Sequence, residues 1–115
     1  MSDDTPLLDL DELQELYDAD ALRNLLTQVR QHLSADLAII RSEAETGRHE
    51  VCRSATHRLK SMLMFVTGER LRADFEHLEE ALRQNAINVA PALEQLQQRL
   101  GQFDAELATA LDHLA

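Results

Sequence analysis

Turn-forming, aromatic and sulfur-bearing residues are all scarce in this chain of 115 residues, which has three Gly, two Pro, one Cys, three Phe, one Tyr and no Trp. With so few of the residues that favour strands and tight turns, a fold made of many short strands is excluded. The single cysteine, Cys52, leaves no partner for an intramolecular disulfide, which fits a reducing compartment. Its place in the hydrophobic pattern reads as a small buried apolar residue. No stretch approaches the ~20 apolar residues of a membrane span. The N-terminus is acidic and lacks the apolar run of a signal peptide. A cytoplasmic chain is expected. Positive charge is short too: 11 Lys and Arg stand against 21 Asp and Glu, a formal net charge of −10. That balance argues against a nucleic-acid binder and against docking on an anionic membrane surface.

What is abundant is Ala, Leu, Glu, Gln and Arg, the residues that cost a helix least. The length suits one domain spanning residues 1–115 and leaves little room for two. Residues 1–8 are expected to be flexible. A short amphipathic helix is predicted over about Asp9 to Tyr17, with Asp9 or Asp11 able to cap it. A long helix follows Asp18 or Asp20, with Leu22, Leu25, Leu26, Val29, Leu33, Leu37, Ile40 and Ala44 at spacings of three and four. Gly47 is its stop signal. A third helix runs from about His49 to Val66, before Gly68. A fourth spans about Glu69 to Arg83, carrying Leu71, Phe75, Leu78 and Leu82. Asn85 to Asn88 read as a turn, and a last helix carries Val89, Leu93, Leu96, Leu100, Phe103, Leu107, Leu111 and Leu114. Asn88 is its expected cap and Pro91 suits its first turn. Short connections make sequential helices antiparallel. The predicted fold is all-α: an up-down four-helix bundle with a short N-terminal helix across one end.

The third helix holds the feature that bears on function. With Leu59 as the centre of its buried face, Cys52, Ala55, Met62, Leu63 and Val66 fall within ~60° at 100° per residue. His57 falls ~160° away, on the solvent side with Glu50, Ser61 and Met64. Arg53 and Lys60 flank that outer face. Residues 48–60 also reverse the sign of the chain, with Arg48, Arg53, Arg58 and Lys60 against Glu50 alone. The first twenty residues, by contrast, carry eight acids and no Lys or Arg.

Three chemistries can use such a histidine. A di-metal bundle needs Glu-x-x-His on two inward faces, and the nearest match, Asp74-x-x-His77, occurs once, so no metal site is expected. A Ser-His hydrolase would pair Ser61 with His57, but no strained elbow or Gly-rich oxyanion loop accompanies them. The third makes His57 itself the nucleophile toward a phosphoryl group. Free imidazole is largely neutral near pH 7. Arg53 and Lys60, each about one turn away, disfavour the imidazolium form and offer charge to phosphoryl oxygens. Ser61 is small and leaves the ring accessible. Met64 offers an apolar contact to a docking partner.

His57-Arg58-Leu59-Lys60-Ser61, followed by Gly68, Leu71, Phe75 and Leu78-Glu79, resembles the histidine-containing phosphotransfer (HPt) domain. That family's pattern is His-x-Leu-Lys-Gly, a run of small residues, a glycine, then an amphipathic helix ending in Leu-Glu. Two departures stand out: Ser61 replaces the glycine after the lysine, and Gly68 falls one position late, with Thr67 in its usual place. Met62, Leu63, Met64 and Phe65 are also bulkier than the family's small run. The resemblance implies a stoichiometric phosphoryl carrier, not an enzyme. It exchanges the group with aspartates of response-regulator receiver domains, one of them often fused to a hybrid sensor histidine kinase. It implies His57 as phospho-acceptor and Lys60 as the residue that steadies the phosphoryl group. Arg53, Arg58, Ser61 and Met64 would then face the partner. No cofactor is expected on this chain, since Mg²⁺ belongs to the receiver, and a monomer suffices. The Ser61 and Gly68 departures leave one alternative, a helical adaptor that docks on receivers without phosphotransfer.

Overall fold

Asp18 starts the longest helix by local chemistry alone. Its backbone is extended, and its carboxylate accepts a 2.8 Å hydrogen bond from the Ala21 N–H, one of the donors that an helix start leaves without a partner. Asp18→Ala is expected to cost about 1 kcal/mol, read as a lower urea midpoint with an unchanged slope. The computed structural model describes residues 6–84 and 87–114. Among them are five helices and no strand: α1 (Leu10–Leu16), α2 (Ala19–Glu45), α3 (His49–Thr67), α4 (Arg72–Arg83) and α5 (Val89–Leu114).

Two glycines end helices where the sequence places them. Gly47, after α2, and Gly68, after α3, have φ of +76° and +62°, a region L side chains rarely occupy. After Gly68 the chain turns through residues 69–71 before α4 begins, so α4 starts three residues later than the predicted Glu69. The buried residue of that turn is Leu71, 1% exposed, and it anchors the start of α4. Of the expected Asn85–Asn88 turn, Asn85 and Ala86 lie outside the described residues. The Asn88 carbonyl accepts from the Ala92 N–H at 3.1 Å as α5 opens.

α3 packs against α2 and α4, and α5 against the same two, so the four long helices enclose one core. Leu26, Ile40, Leu59, Leu63, Leu78, Leu96, Phe103 and Leu107 meet there with no exposed surface. α1 lies against α2. Its expected cap does not form. Asp9 precedes α1 without a side-chain capping bond, and its own N–H donates to the Val66 carbonyl at 2.9 Å. Two residues of the 1–8 segment pack against the rest of the chain. Leu7 and Leu8 are core residues, and the Leu8 N–H donates to the Glu106 carboxylate at 2.8 Å. Two leucines in succession bury enough apolar surface to offset the entropy of ordering them.

The buried arc of α3 is Cys52, Ala55, Thr56, Leu59, Lys60, Leu63, Val66 and Thr67. It is centred roughly 30° from Leu59, on the Lys60 side. Met62, expected within it, is only partly buried at its edge. The rotation follows from α3 being covered on two flanks, by α2 and by α4. In α5, Gly101 is exposed, and a Cβ there would meet nothing within 4 Å. Gly101→Ala is expected to stabilise the protein by about 0.5–1 kcal/mol, visible as a higher melting temperature. A lower one would contradict a regular helix at that point.

Candidate functional site

His57 sits mid-way along α3 with its side chain 61% exposed. Its Nδ1 is 3.2 Å from Oε2 of Glu79, on α4. Glu79 is itself buried, and its other oxygen, Oε1, is 2.7 Å from Lys60 Nζ. The same Nζ is 3.8 Å from Glu76 Oε2. One carboxylate therefore joins a surface imidazole to a buried ammonium across the α3–α4 interface. An ionised Glu79 only accepts, so in a neutral ring Nδ1–H would donate to Oε2 and Nε2 would carry the lone pair, with the contact orienting the ring.

Lys60 is not on the outer flank where the sequence places it. Its side chain is 10% exposed, because α4 covers that side of α3 and brings Glu79 and Glu76 over it. Burying an ammonium is costly without an opposite charge, and Glu79 supplies one. In the sequence alone, Glu79 stands only as the end of the Leu-Glu pair. A signal for it exists: it lies four residues after Phe75 and three before Leu82, on the buried stripe of α4. A carboxylate on such a stripe needs a cation, and Lys60 is the matching charge on the buried arc of α3.

The other expected site residues divide. Arg53, one turn before His57, is partly exposed and hydrogen-bonded to Glu50, holding that carboxyl below its usual range. Arg58 is exposed and makes no ion pair among the described residues. Ser61 is exposed and makes no hydrogen bond with His57 among the described residues. Met64 is half-buried. Beyond it, Phe65 is exposed and meets Tyr17 edge to face, with ring centroids 6.4 Å apart. Phe65, 57% exposed, and Leu16, 62% exposed, are larger apolar surface residues than Met64.

Cys52 is fully buried, and burial pushes its thiol up, away from the reactive thiolate. Asp74 of the Asp-x-x-His sequence is engaged by Arg99 at 3.2 Å, and no group of three metal-binding side chains occurs among the described residues. A groove of about 650 Å³ runs between the start of α1 and α5, lined by Leu8, Leu10, Arg70, Glu106 and His113 among others. None of the site residues of α3 lines it. Comparison with protein-family models, with curated proteins and with solved structures finds no match to this chain.

Proposed function

We propose that this chain is a phosphorelay intermediate of the HPt kind, with His57 as the phospho-acceptor. On this reading α2 to α5 form an HPt-like antiparallel up-down four-helix bundle, with α1 lying across one end. The observation that carries the proposal is the solvent-facing ring of His57 with Nδ1 turned onto Glu79, because it leaves Nε2 free as a nucleophile.

The transfer balances without a proton leaving the site. The Nε2 lone pair attacks the phosphorus of an aspartyl phosphate. The N–P bond forms, the P–O bond to the acyl group breaks, and its electron pair leaves on the aspartate carboxylate. Nδ1 keeps its hydrogen throughout, so the ring acquires a positive charge. Glu79 Oε2, 3.2 Å away, is placed to stabilise that charge as it develops. Running the same step backward returns the group to another receiver aspartate. Each phosphoryl group is passed on, so the chain acts as a carrier rather than an enzyme. Arg53 and Arg58 lie at the surface where the group arrives and complement an acidic receiver pocket, an arrangement that speeds and orients encounter. The partners are receiver domains in the cytoplasm, one of them on a hybrid sensor kinase. Mg²⁺ resides on those partners.

Incubation with a ³²P-labelled receiver tests the proposal. Acid-labile, base-stable label should appear on this chain as it leaves the receiver. Docking without any label would support the adaptor reading instead.

A further inference from the structure

We infer that Lys60 is a positioning residue that acts on His57 only through Glu79, and not a ligand of the phosphoryl group. The inference rests on the carrier reading and departs from what the family resemblance implies for this lysine.

The geometry leaves Lys60 little else to do. Its ammonium is 2.7 Å from Glu79 Oε1, is 3.8 Å from Glu76 Oε2, and belongs to a side chain only 10% exposed. Glu79 is 8% exposed. To bond a phosphoryl group on Nε2, Lys60 would have to give up or share its 2.7 Å contact with the nearly buried Glu79 carboxylate, which leaves that group less well compensated. Where it stands, it sets a positive charge against Glu79 inside the α3–α4 interface and, by holding Oε1, turns Oε2 toward His57 Nδ1.

Removing that cation undoes the ring arrangement by any of three routes. Glu79 can take up a proton, and its O–H then donates to Nδ1, which moves the ring hydrogen to Nε2. It can turn out to water and leave Nδ1 without its acceptor. Or it can hold His57 as the imidazolium, with both nitrogens protonated. Each route takes away the Nδ1–H held on Glu79 that leaves Nε2 with a free lone pair. The other cations at the surface of α3 are Arg58, which makes no ion pair among the described residues, and Arg53, which is held by Glu50.

A double-mutant cycle on the full chain separates the two roles: wild type, Lys60→Met, Glu79→Gln and the double variant. The readouts are the rate of His57 phosphorylation by phosphoramidate and the ¹⁵N signals of the imidazole. Lys60→Met is expected to slow phosphorylation about tenfold and to shift the ring away from the Nδ1–H form, as loss of a hydrogen bond to a charged group would. In the Glu79→Gln background it should do neither. Equal slowing in both backgrounds, or no effect in either, overturns the inference.

A second measurement needs no variant. Lys60 is the one lysine of the sequence, so its side-chain ¹⁵N signal is unambiguous. In phosphorylated wild type that signal should stay where it was and show no coupling to ³¹P. A coupling across an N–H···O–P bond would overturn the inference. A chain that phosphoramidate cannot label at all refutes the carrier reading, while the ring signals still decide whether Lys60 governs the tautomer.

Discussion

Replacing His57 by glutamine should reduce label accepted from a phosphorylated receiver to background while leaving the fold intact. Glutamine is polar and of similar reach, and its amide can donate to Glu79 as the ring does, but it has no nucleophilic nitrogen. The side chain is more than half exposed and belongs to no core cluster. Exposed positions usually change stability by about 0.5 kcal/mol or less, and the glutamine amide keeps a donor for Glu79. Helix content and melting temperature should therefore match wild type while transfer disappears. A variant that still takes label to the wild-type level would place the acceptor elsewhere. A variant that loses helicity would mean that His57 supports the packing of α3 on α4 rather than the chemistry.

Two residues further along the same helix the outcome should invert. Leu59 has no exposed surface and sits where α3 faces the core. Leu59→Ala removes its outer methyl-bearing carbons from a closed core and leaves a cavity that the surrounding helices fill only in part. The expected cost is about 2–5 kcal/mol. For a domain of this size that lowers the melting temperature by about 10 °C or more. His57 is untouched, so if it is the proposed acceptor, the transfer rate of the variant should stay within a few-fold of wild type at a temperature where it remains folded. The pair of substitutions thus reads the rotation of α3 directly. A small effect at Leu59 together with a large loss of stability at His57 would require the helix to be turned by about half a revolution.

The features legible in the sequence are those set within one helix or one turn. Asp18 caps α2, Gly47 and Gly68 end α2 and α3, and the leucine spacings mark the buried stripes, because each depends on neighbours three or four residues away. The outward position of His57 belongs to the same class. Contacts between helices were harder to read. The wheel of α3 alone places Lys60 on a solvent flank, since a single wheel cannot show that α4 covers that side. Met62 and Lys60 exchange burial for the same reason, as the arc rotates toward the second neighbour. Glu79 was visible as the end of a Leu-Glu pair, but its partners lie 19 and 22 positions earlier in the chain. Its role emerges once α3 and α4 are placed side by side. Asp9 had the composition of a cap and is used otherwise, because the end of α3 offers its backbone N–H a carbonyl.

The proposed site needs few parts: an exposed imidazole, a carboxylate on its inner nitrogen and a buried cation behind that carboxylate. The bulkier residues after Ser61 do not obstruct it: Leu63 turns into the core, Met62 and Met64 are partly buried, and Phe65 lies two turns away against Tyr17.

The decisive measurement is where the phosphoryl group sits after reaction with a phosphorylated receiver. In uniformly ¹⁵N-labelled protein, a ³¹P–¹⁵N correlation should couple phosphorus to Nε2 of His57, with Nδ1 still bearing its hydrogen. Phosphorus on Nδ1, on His32, His49, His77 or His113, or on no histidine at all would contradict the account.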